Sequence, residues 1–350
     1  MSGGIAQLVA VGAQDAHLVG QPEVSFFRSN YKRHTNFAQT VERQVIQGNP
    51  SAGSMSTVRF ERKGDMVGYV YIAPTKLGIA HKLTSTKWVA AISKVELLIG
   101  GQVIDEQTSQ FSQYMAPTVL AQNLTKSTSG FAEKESKFYP LRFSFCENAQ
   151  TAIPLIALQY HDVELRITWG TDLDGATYEV YSQFIHLDTD ERSALSSTPQ
   201  NMLITQTQKA IASGSKTQEL NFNHPIKCLV AADGSTLAIA ADANKMKLQI
   251  NGTDVTDFKY VDPNYTAVTS YYHTTSSKAD VAVSGENDKF FLYPFCLDTS
   301  KVQPTGSLNF SRLDSARLVN DTANSSDDIY AVNYNILRIE NGMGGLMYSN

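Results

Sequence analysis

One short phrase of the sequence occurs twice in nearly the same form. Residues 94–105 read KVELLIGGQVID and residues 245–257 read KMKLQINGTDVTD. In both, a strand-like apolar run leads into a two-residue turn containing glycine, and a second run follows, a pattern typical of a β-hairpin. The turn residues are Gly100 and Gly101 in the first phrase and Asn251 and Gly252 in the second. The two predicted turns are 252 − 101 = 151 residues apart.

Two further echoes keep nearly the same spacing. KFYPLRFSFC ends at Cys146 and KFFLYPFC, which begins at Lys289, ends at Cys296, a shift of 296 − 146 = 150 residues. ALQYHDVEL and SLNFSRLDSARL place Tyr160 opposite Phe310, again 310 − 160 = 150 residues apart. Three echoes in the same order indicate two similar domains in tandem, because a repeated order of strands implies a repeated core. A solenoid is excluded, since its repeats are roughly 20–50 residues long.

The remaining patterns favour strands over helices. FAQTVERQVI from Phe37, DVELRITW from Asp162 and YNILRIE from Tyr334 are short apolar or alternating runs, bounded by turn-forming residues. The clearest helical pattern is DTDERSALSS from Asp188, which starts with acidic and capping residues. We therefore predict an all-β chain of two tandem antiparallel eight-stranded β-sandwiches, with a double jelly roll as the leading form.

A change in composition indicates a domain boundary between the two halves. The stretch that starts at Ile185 is rich in Ser, Thr, Gln and Pro, and then gives way to the strand-like LNFNHPIKCLVAA. We predict an N-terminal arm over 1–24, a first jelly-roll domain over 25–200, a linker over 201–215 and a second jelly-roll domain over 216–350.

Charge and cysteine content limit the classes of function. The chain has 350 residues with a net charge of −5, which argues against a general nucleic-acid binder. It has no apolar stretch long enough for a membrane span and no secretory leader pattern at its N-terminus. The three cysteines Cys146, Cys228 and Cys296 are too widely spaced for a zinc site or a disulfide framework. We expect buried thiols and synthesis in a cytoplasm.

Two acidic clusters suggest chemistry but have simpler structural interpretations. In IHLDTDE, alternation places His186, Asp188 and Asp190 on one face of a strand, where they could bind a metal. The competing interpretation is the start of a helix, where carboxylates cap free N–H groups. Elsewhere, His161 and Asp162 lie in a predicted strand without a nucleophile motif. We expect no catalytic, metal or cofactor site.

Six N-x-S/T sequons occur, and two of them are glycosylation candidates. Asn251 lies in the predicted second turn and Asn264 in a polar loop, so both are expected to be exposed. Asn309 lies within a predicted strand. Because Ser and Thr are abundant, several such matches arise by chance.

The opening stretch GGIAQLVAVGAQDAHLVGQPEVSFFRSNYKRHTNFAQ closely resembles the major capsid proteins of large icosahedral double-stranded DNA viruses, with the phycodnavirus-like proteins nearest. Further resemblance lies in RKGDMVG, AIPLIALQYHDVEL, IHLDTDER, LNFNHPIK, GSLNFSRLDSARL and the terminal IYAVNYNILRIENGMGGLMYSN. The resemblance covers both halves of the chain. The segments around 107–135 and 254–288 are shorter than the outer loops of typical members.

The resemblance implies a non-enzymatic shell subunit of the virion. Three copies would form a homotrimeric capsomer of near-hexagonal outline, because two similar domains taken three times give six similar lobes. Expected partners are other copies of the chain, neighbouring capsomers, minor capsid proteins and the internal viral membrane, with no direct nucleic-acid contact. The alternatives are a minor or paralogous capsid protein of the same fold and a tandem carbohydrate-binding β-sandwich protein.

A basic cluster precedes the first predicted strand. Arg28, Lys32 and Arg33 lie among aromatic residues in RSNYKRHTNF. Cations among aromatic rings are typical of single-stranded nucleic-acid binding, but a solvated or interface strand leading into the first sheet is the simpler interpretation and the one we favour. Since the resemblance implies a membrane between shell and genome, we expect these residues to make arm or inner-face contacts with anionic lipid or a smaller shell protein.

Overall fold

The computed structural model describes residues 3–127, 135–233, 237–275 and 290–349. Lys289, the first residue of one predicted strand, lies outside the described residues, as do 128–134 and 276–288 of the two predicted loops. The chain forms two compact units, Met1–Asn36 and Phe37–Asn350.

The N-terminal unit extends to Asn36, beyond the end of the predicted arm at residue 24. It contains the short helices α1 (Gly3–Gln7) and α2 (Ala16–Val19), the latter preceded by a 3-10 turn at Ala13–Asp15. The backbone N–H of Gly12 donates to Asp15 Oδ2 at 2.8 Å and closes that turn. Apart from the half-buried Asp15, its residues of described burial are exposed, so this part of the chain has no core of its own.

The second unit begins with a β-sandwich of two antiparallel sheets. Its strands are β1 (Phe37–Gln44), β2 (Ile46–Gln47), β3 (Met55–Arg59), β4 (Met66–Lys76), β5 (Ile79–Ala80), β6 (Leu83–Thr84), β7 (Ile92–Ile99), β8 (Gln102–Thr108), β9 (Glu135–Ser136), β10 (Tyr139–Pro140), β11 (Ile153–Pro154), β12 (Val163–Trp169) and β13 (Thr177–Leu187). One sheet has the order β1-β13-β4-β10 and the other β2-β3-β12-β7-β8. Between the strands lie α3 (Ser85–Ala91), α4 (Ala116–Val119), α5 (Leu124–Ser127) and α6 (Ser144–Glu147).

Helix α7 (Thr189–Ser197) leads into a second sandwich. Its strands are β14 (Gln200–Ala210), β15 (Thr217–Glu219), β16 (Pro225–Ala231), β17 (Lys245–Ile250), β18 (Thr253–Asp254), β19 (Lys259–Tyr260), β20 (Phe291–Pro294), β21 (Leu308–Asn309), β22 (Ala316–Asn320), β23 (Ile329–Glu340) and β24 (Met343–Leu346). The sheets have the orders β14-β23-β16-β20 and β15-β22-β17-β18. Helices α8 (Val261–Asn264) and α9 (Ala267–His273) follow β19.

The two sandwiches have the same topology. In sheet order, β1, β13, β4 and β10 correspond to β14, β23, β16 and β20, while β3, β12, β7 and β8 correspond to β15, β22, β17 and β18. The short strands β11 and β21 also correspond, since they pair with β4 and β16. Each sandwich encloses an apolar core between its own sheets. The predicted double jelly roll of two eight-stranded sandwiches is confirmed.

The predicted echoes are correct in order, but two of them are wrong in register. Pro140 pairs with β4 as Pro294 pairs with β16, and these two prolines are 294 − 140 = 154 residues apart. Cys146, which lies in α6, is therefore not equivalent to Cys296. The 3-10 turns Leu155–Ala157 and Phe310–Arg312 match at 310 − 155 = 155 residues, so Tyr160 does not match Phe310. Loops of unequal length shift the later strands.

Most of the predicted linker, 201–215, is a strand. Gln200–Ala210 pairs along its whole length with Ile329–Glu340. Its sequence, QNMLITQTQKA, has the polar composition of a linker, yet Ile204 and Gln206 are buried. A strand lying between two sandwiches contacts protein through polar as well as apolar side chains, which is why composition alone was misleading here.

Candidate assembly surfaces

A third apolar core joins the two sandwiches. The first sandwich contributes residues 111–119, a π turn over Phe111–Met115 that continues into α4. The second contributes the face of its β14-β23-β16-β20 sheet that points away from its own core. The buried members of this junction core are Phe111, Tyr114, Met115, Ala116, Val119, Leu120, Cys228, Val230, Ala232, Phe290, Leu292, Tyr330 and Val332. Part of the predicted outer loop 107–135 is thus interior.

Polar contacts border the junction core. Asp105 Oδ1 accepts a hydrogen bond from the backbone N–H of Thr207 at 2.9 Å, and Asp105 Oδ2 accepts one from Gln107 Nε2 at 3.0 Å. Burial raises the pKa of the Asp105 carboxyl to about 7, although these hydrogen bonds act in the opposite direction. The hydroxyls of Thr108 and Tyr330 are hydrogen bonded at 2.8 Å. A buried polar link of this kind fixes the register between the sandwiches.

The end of the second sandwich is also tied to the first. Ile204, Leu337 and Ile339 are buried in the core of the first sandwich. The backbone N–H of Tyr160 donates to the carbonyl of Gly342 at 2.9 Å. The two sandwiches are therefore held by both side-chain packing and main-chain hydrogen bonds.

The corresponding sheet of the first sandwich, β1-β13-β4-β10, presents an aromatic outer face. Tyr71 stacks on Tyr181 with ring centroids 5.3 Å apart, and its ring meets the edge of Phe138 at 5.9 Å. Tyr69 lies 6.5 Å from Tyr71. Phe138 is 49% exposed and Tyr69 is 43% exposed. These four residues, called the aromatic face below, form an exposed patch of the kind that marks protein interfaces.

Charged groups lie beside the aromatic face. The Tyr181 hydroxyl donates to Glu179 Oε2 at 2.7 Å, and this hydrogen bond raises the pKa of Tyr181. Glu179 Oε1 also pairs with Arg43 Nη1 at 2.9 Å. Arg43 belongs to β1, the edge strand of this sheet, in which every residue except Gln44 is exposed. An edge strand with both faces accessible is a ready site for contact with another chain.

Both predicted hairpin turns have positive φ at their two central residues. The φ values are 57° at Gly100, 81° at Gly101, 48° at Asn251 and 77° at Gly252. The flanking strands pair as Ile99 with Gln102 and as Ile250 with Thr253. This geometry matches a primed two-residue turn, whose twist suits that of the strands.

The two turns are anchored by different side chains. The N–H of Gly100 donates to the carbonyl of Asp162, and that of Asn251 donates to the carbonyl of Ser315, both at 2.9 Å. A Cβ on Gly100 would lie 2.4 Å from His161 Nδ1, so the histidine fills the space of a side chain there. In the second turn, Asn251 Oδ1 accepts from the N–H groups of Asp314 and Ser315.

The candidate glycosylation residues Asn251 and Asn264 are both exposed. Asn251 uses Oδ1 in the contacts just described, whereas Asn264 Nδ2 donates to the carbonyl of Tyr260 at 2.9 Å. Because an N-glycan is attached through Nδ2, modification of Asn264 would require that hydrogen bond to break. Geometry thus favours Asn251 over Asn264.

The basic residues Arg28, Lys32 and Arg33 lie in the N-terminal unit, after α2, in a segment without helix or strand. All three are exposed. Spacing along an extended chain allows several cations to contact one anionic surface.

The IHLDTDE stretch ends strand β13 at Leu187 and then starts helix α7. Asp188 Oδ1 caps α7 by accepting from the N–H of Thr189 at 2.8 Å, and Asp190 and Glu191 lie in the first turn. Among the described residues, no group of three or more His, Cys, Asp or Glu side chains is arranged to bind a metal. Over the same residues, no helix combines the length and apolarity that a bilayer crossing requires.

The sequence patterns did not reveal the groups that form the junction. Asp105 is the last residue of the repeated phrase, and it is buried at the junction, where Thr207 of the second sandwich contacts it. Residues 111–119 read FSQYMAPTV, an apolar run whose length could have indicated a buried turn of helix. The aromatic face alternates along β4 as Tyr69, which is exposed, and Tyr71, which is half-buried, and two tyrosines at alternate positions of one strand are a usable signal.

Comparison with known proteins places both halves in one family. Residues 25–198 match the family described as major capsid protein N-terminus, and residues 235–345 match the large eukaryotic DNA virus major capsid protein family. The chain is 34% identical over 398 aligned residues to the major capsid protein of Pyramimonas orientalis virus, with all of both chains covered. Since this chain has 350 residues and is covered completely, 398 − 350 = 48 positions of the alignment are gaps in this chain.

Two further relatives agree. The major capsid protein of Paramecium bursaria Chlorella virus 1 is 30% identical over 449 residues, with full coverage of both chains. A chain of the PBCV-1 virus capsid structure superposes with a TM-score of 0.75 at 25% identity, covering 93% of this chain and 100% of that chain. The present chain therefore belongs to the major capsid proteins of large eukaryotic DNA viruses, and is a structural component of a virion and not an enzyme.

Proposed function

We propose that this protein builds its shell from homotrimers, each a capsomer of pseudo-hexagonal outline, which then pack against neighbouring capsomers. The observation that supports this most directly is the repeated topology within one compact unit. Two sandwiches of the same fold in each chain give three copies six similar lobes, so a threefold particle can tile like a sixfold one. Synthesis and assembly in the host cytoplasm are part of the proposal, in keeping with three buried free thiols.

Light scattering of the purified full-length chain tests the trimer. The chain mass is 38.4 kDa, so a trimer has a mass of 3 × 38.4 = 115.2 kDa. We expect this mass to persist on dilution, because permanent interfaces bury about 2,000 Å² or more. A protein that stays at the monomer mass over the whole concentration range contradicts the proposal. Quantitative mass spectrometry of purified virions then distinguishes the main shell subunit, which dominates the protein content, from a minor shell protein.

The inner-face contacts are proposed for the basic residues of the N-terminal unit. Arg28, Lys32 and Arg33 would contact the anionic surface of the internal membrane, or a minor capsid protein, and no direct contact with the genome is expected. Flotation with vesicles of neutral lipid, with and without roughly a third anionic lipid, tests the membrane contact. We expect flotation only with anionic vesicles, and its loss when all three residues are replaced by serine. Equal flotation of both proteins contradicts this assignment.

Of the two candidate sequons, we propose Asn251 in preference to Asn264 as the acceptor of a glycan, which a chain made in the cytoplasm would have to receive outside the secretory pathway. The test is intact mass spectrometry of virion-derived protein, with Asn251→Gln and Asn264→Gln as paired variants. A glycan mass that disappears only in the Asn264 variant contradicts the proposal.

A further inference from the structure

We propose that the aromatic face is covered, in the assembled protein, by residues 255–273 of a second copy of this chain. This inference rests on the proposed self-assembly and assigns the surfaces that mediate it. It follows from a comparison of the two sandwiches, because one sheet is covered within the chain and its counterpart is not.

The two sheets match residue by residue at their centres. In the first sandwich Tyr71 pairs with Tyr181, and in the second Cys228 pairs with Val332. Both pairs lie on the sheet face that points away from the sandwich core, since Cys228 and Val332 belong to the junction core. Tyr71 is therefore equivalent to Cys228, and Tyr181 to Val332. Cys228 is 0% exposed and Val332 is 2% exposed.

Phe138 has a buried counterpart as well. Pro140 pairs with Tyr71, and Pro294 pairs with Cys228, so Phe138 and Leu292 each lie two residues before equivalent prolines. Leu292 is 0% exposed, whereas Phe138 is 49% exposed. Three central positions that are buried in the second sandwich thus carry accessible aromatic rings in the first.

The covering segment is duplicated too. Residues 111–119, which cover the second sandwich, directly follow the first-half hairpin β7–β8. Residues 255–273 directly follow the second-half hairpin β17–β18 and also form short helices. Large apolar side chains of this second segment are exposed: Val255, Phe258, Tyr260, Val268, Tyr271 and Tyr272. The large apolar side chains of the first segment, including Phe111 and Tyr114, are buried.

One chain therefore has an exposed face and an exposed covering segment that match the pair it already uses internally. Because both remain exposed in the same chain, a second copy is the partner that satisfies them. The resulting contact is head to tail, and a head-to-tail contact closes into a ring when the rotation between successive copies closes, as it does in the threefold particle proposed above. Burial of aromatic residues from both sides would provide the apolar centre that stable interfaces need.

Photo-crosslinking of the full-length protein tests the assignment. With p-benzoyl-phenylalanine in place of Phe138, we expect covalent products of twice and three times the chain mass, and crosslinked peptides from residues 255–273. The same probe at Tyr272 should react with the aromatic face. Crosslinks that map to any other segment, or that form only within one chain, overturn the assignment.

Charge substitutions give an independent readout. Phe138→Glu and Tyr272→Glu should each raise the protein concentration at half-dissociation at least tenfold, while the circular dichroism spectrum of the dissociated chain stays folded. Tyr160→Glu is the matched control, since Tyr160 is 76% exposed and Tyr272 is 71% exposed. If the wild type associates and all three variants behave alike, the surfaces are wrong but self-assembly stands. A monomeric wild type overturns both.

Discussion

The carboxylate of Asp105 in the first sandwich accepts a hydrogen bond from the backbone N–H of Thr207 in the second, at 2.9 Å. The Thr207 hydroxyl lies 3.3 Å from the same oxygen. This link crosses the junction at a position where Asp105 is buried and Thr207 is half-buried. The protonation of one carboxyl therefore contributes to the free energy that holds the two sandwiches together, beside the apolar junction core.

The stability of the protein should fall as pH rises through this transition. Burial raises the pKa of Asp105 from 3.8 in the unfolded chain to about 7 in the folded one. Between these values the folded state binds a proton that the unfolded state does not, so its contribution is complete below pH 4 and lost as pH rises through 7. The expected slope is at most about 1.4 kcal/mol per pH unit. Urea denaturation from pH 4 to pH 8 measures it.

Asp105→Asn is the control for that slope. The amide keeps the size of the side chain and an acceptor for Thr207, but it does not titrate. Subtracting the unfolding free energy of the variant from that of the wild type removes the contribution of all other titrating groups. A difference that is flat between pH 4 and pH 7 contradicts the shifted pKa.

The two hairpin turns should differ in their tolerance of substitution. At Gly252 a Cβ has no heavy atom within 4 Å apart from its own neighbours, so Gly252→Val should cost only the positive φ strain, about 1–3 kcal/mol. Gly100→Val meets the same strain and in addition the His161 ring, and should cost about 1–3 kcal/mol more. Thermal denaturation of the pair measures the difference. Equal losses would mean that His161 moves aside freely.

The asparagine of the second turn should contribute through its side chain. Asn251→Gly keeps a residue that accepts positive φ but removes the oxygen that binds the N–H groups of Asp314 and Ser315. We expect a loss of about 1 kcal/mol in the unfolding free energy, since water can replace part of the contact. Asn264→Gly serves as a comparison on the same sandwich. An unchanged denaturation midpoint for Asn251→Gly contradicts the anchoring role.

The cysteines should react slowly in the native protein. Burial raises the pKa of the thiols of Cys146, Cys228 and Cys296, which keeps them protonated and shielded. Cys228 also lies in the junction core, so its modification requires the two sandwiches to separate. With a colorimetric disulfide reagent at pH 8, we expect slow labelling of all three and the slowest labelling at Cys228. Rapid labelling of Cys228 would show that the junction opens readily.

The fold was largely predictable from the sequence because its strongest signals are local. A two-residue turn with Asn251 and Gly252 dictates both the pairing and the twist of its strands, and the same signal at Gly100 indicated the duplication. The helix start at Asp188 is local for the same reason, since a side-chain oxygen caps an N–H of the next residue.

The junction was not predictable, because it depends on contacts between residues far apart in the chain. Gln200–Ala210 has the composition of a linker, and only its pairing with Ile329–Glu340 makes it a strand. Nothing in the local sequence distinguishes Asp105 from other acidic residues, because its partner Thr207 lies 102 residues later in the chain. The predicted equivalence of Cys146 and Cys296 was wrong because it matched similar residues and not equivalent strands. The loops between the strands differ in length in the two halves, so the two criteria give different registers.

The exposed edge strand Phe37–Gln44 has a consequence for production of the protein. From Ala38 to Gln44, β13 is its strand partner in the described part of the chain, so a free subunit presents an edge to which a strand of another chain can pair. In a cell that makes many copies at once, assembly of the shell therefore competes with aggregation of free subunits. The yield of particles should depend on how quickly free subunits are incorporated into shells. Slower synthesis, which keeps the concentration of free subunits low, should increase that yield.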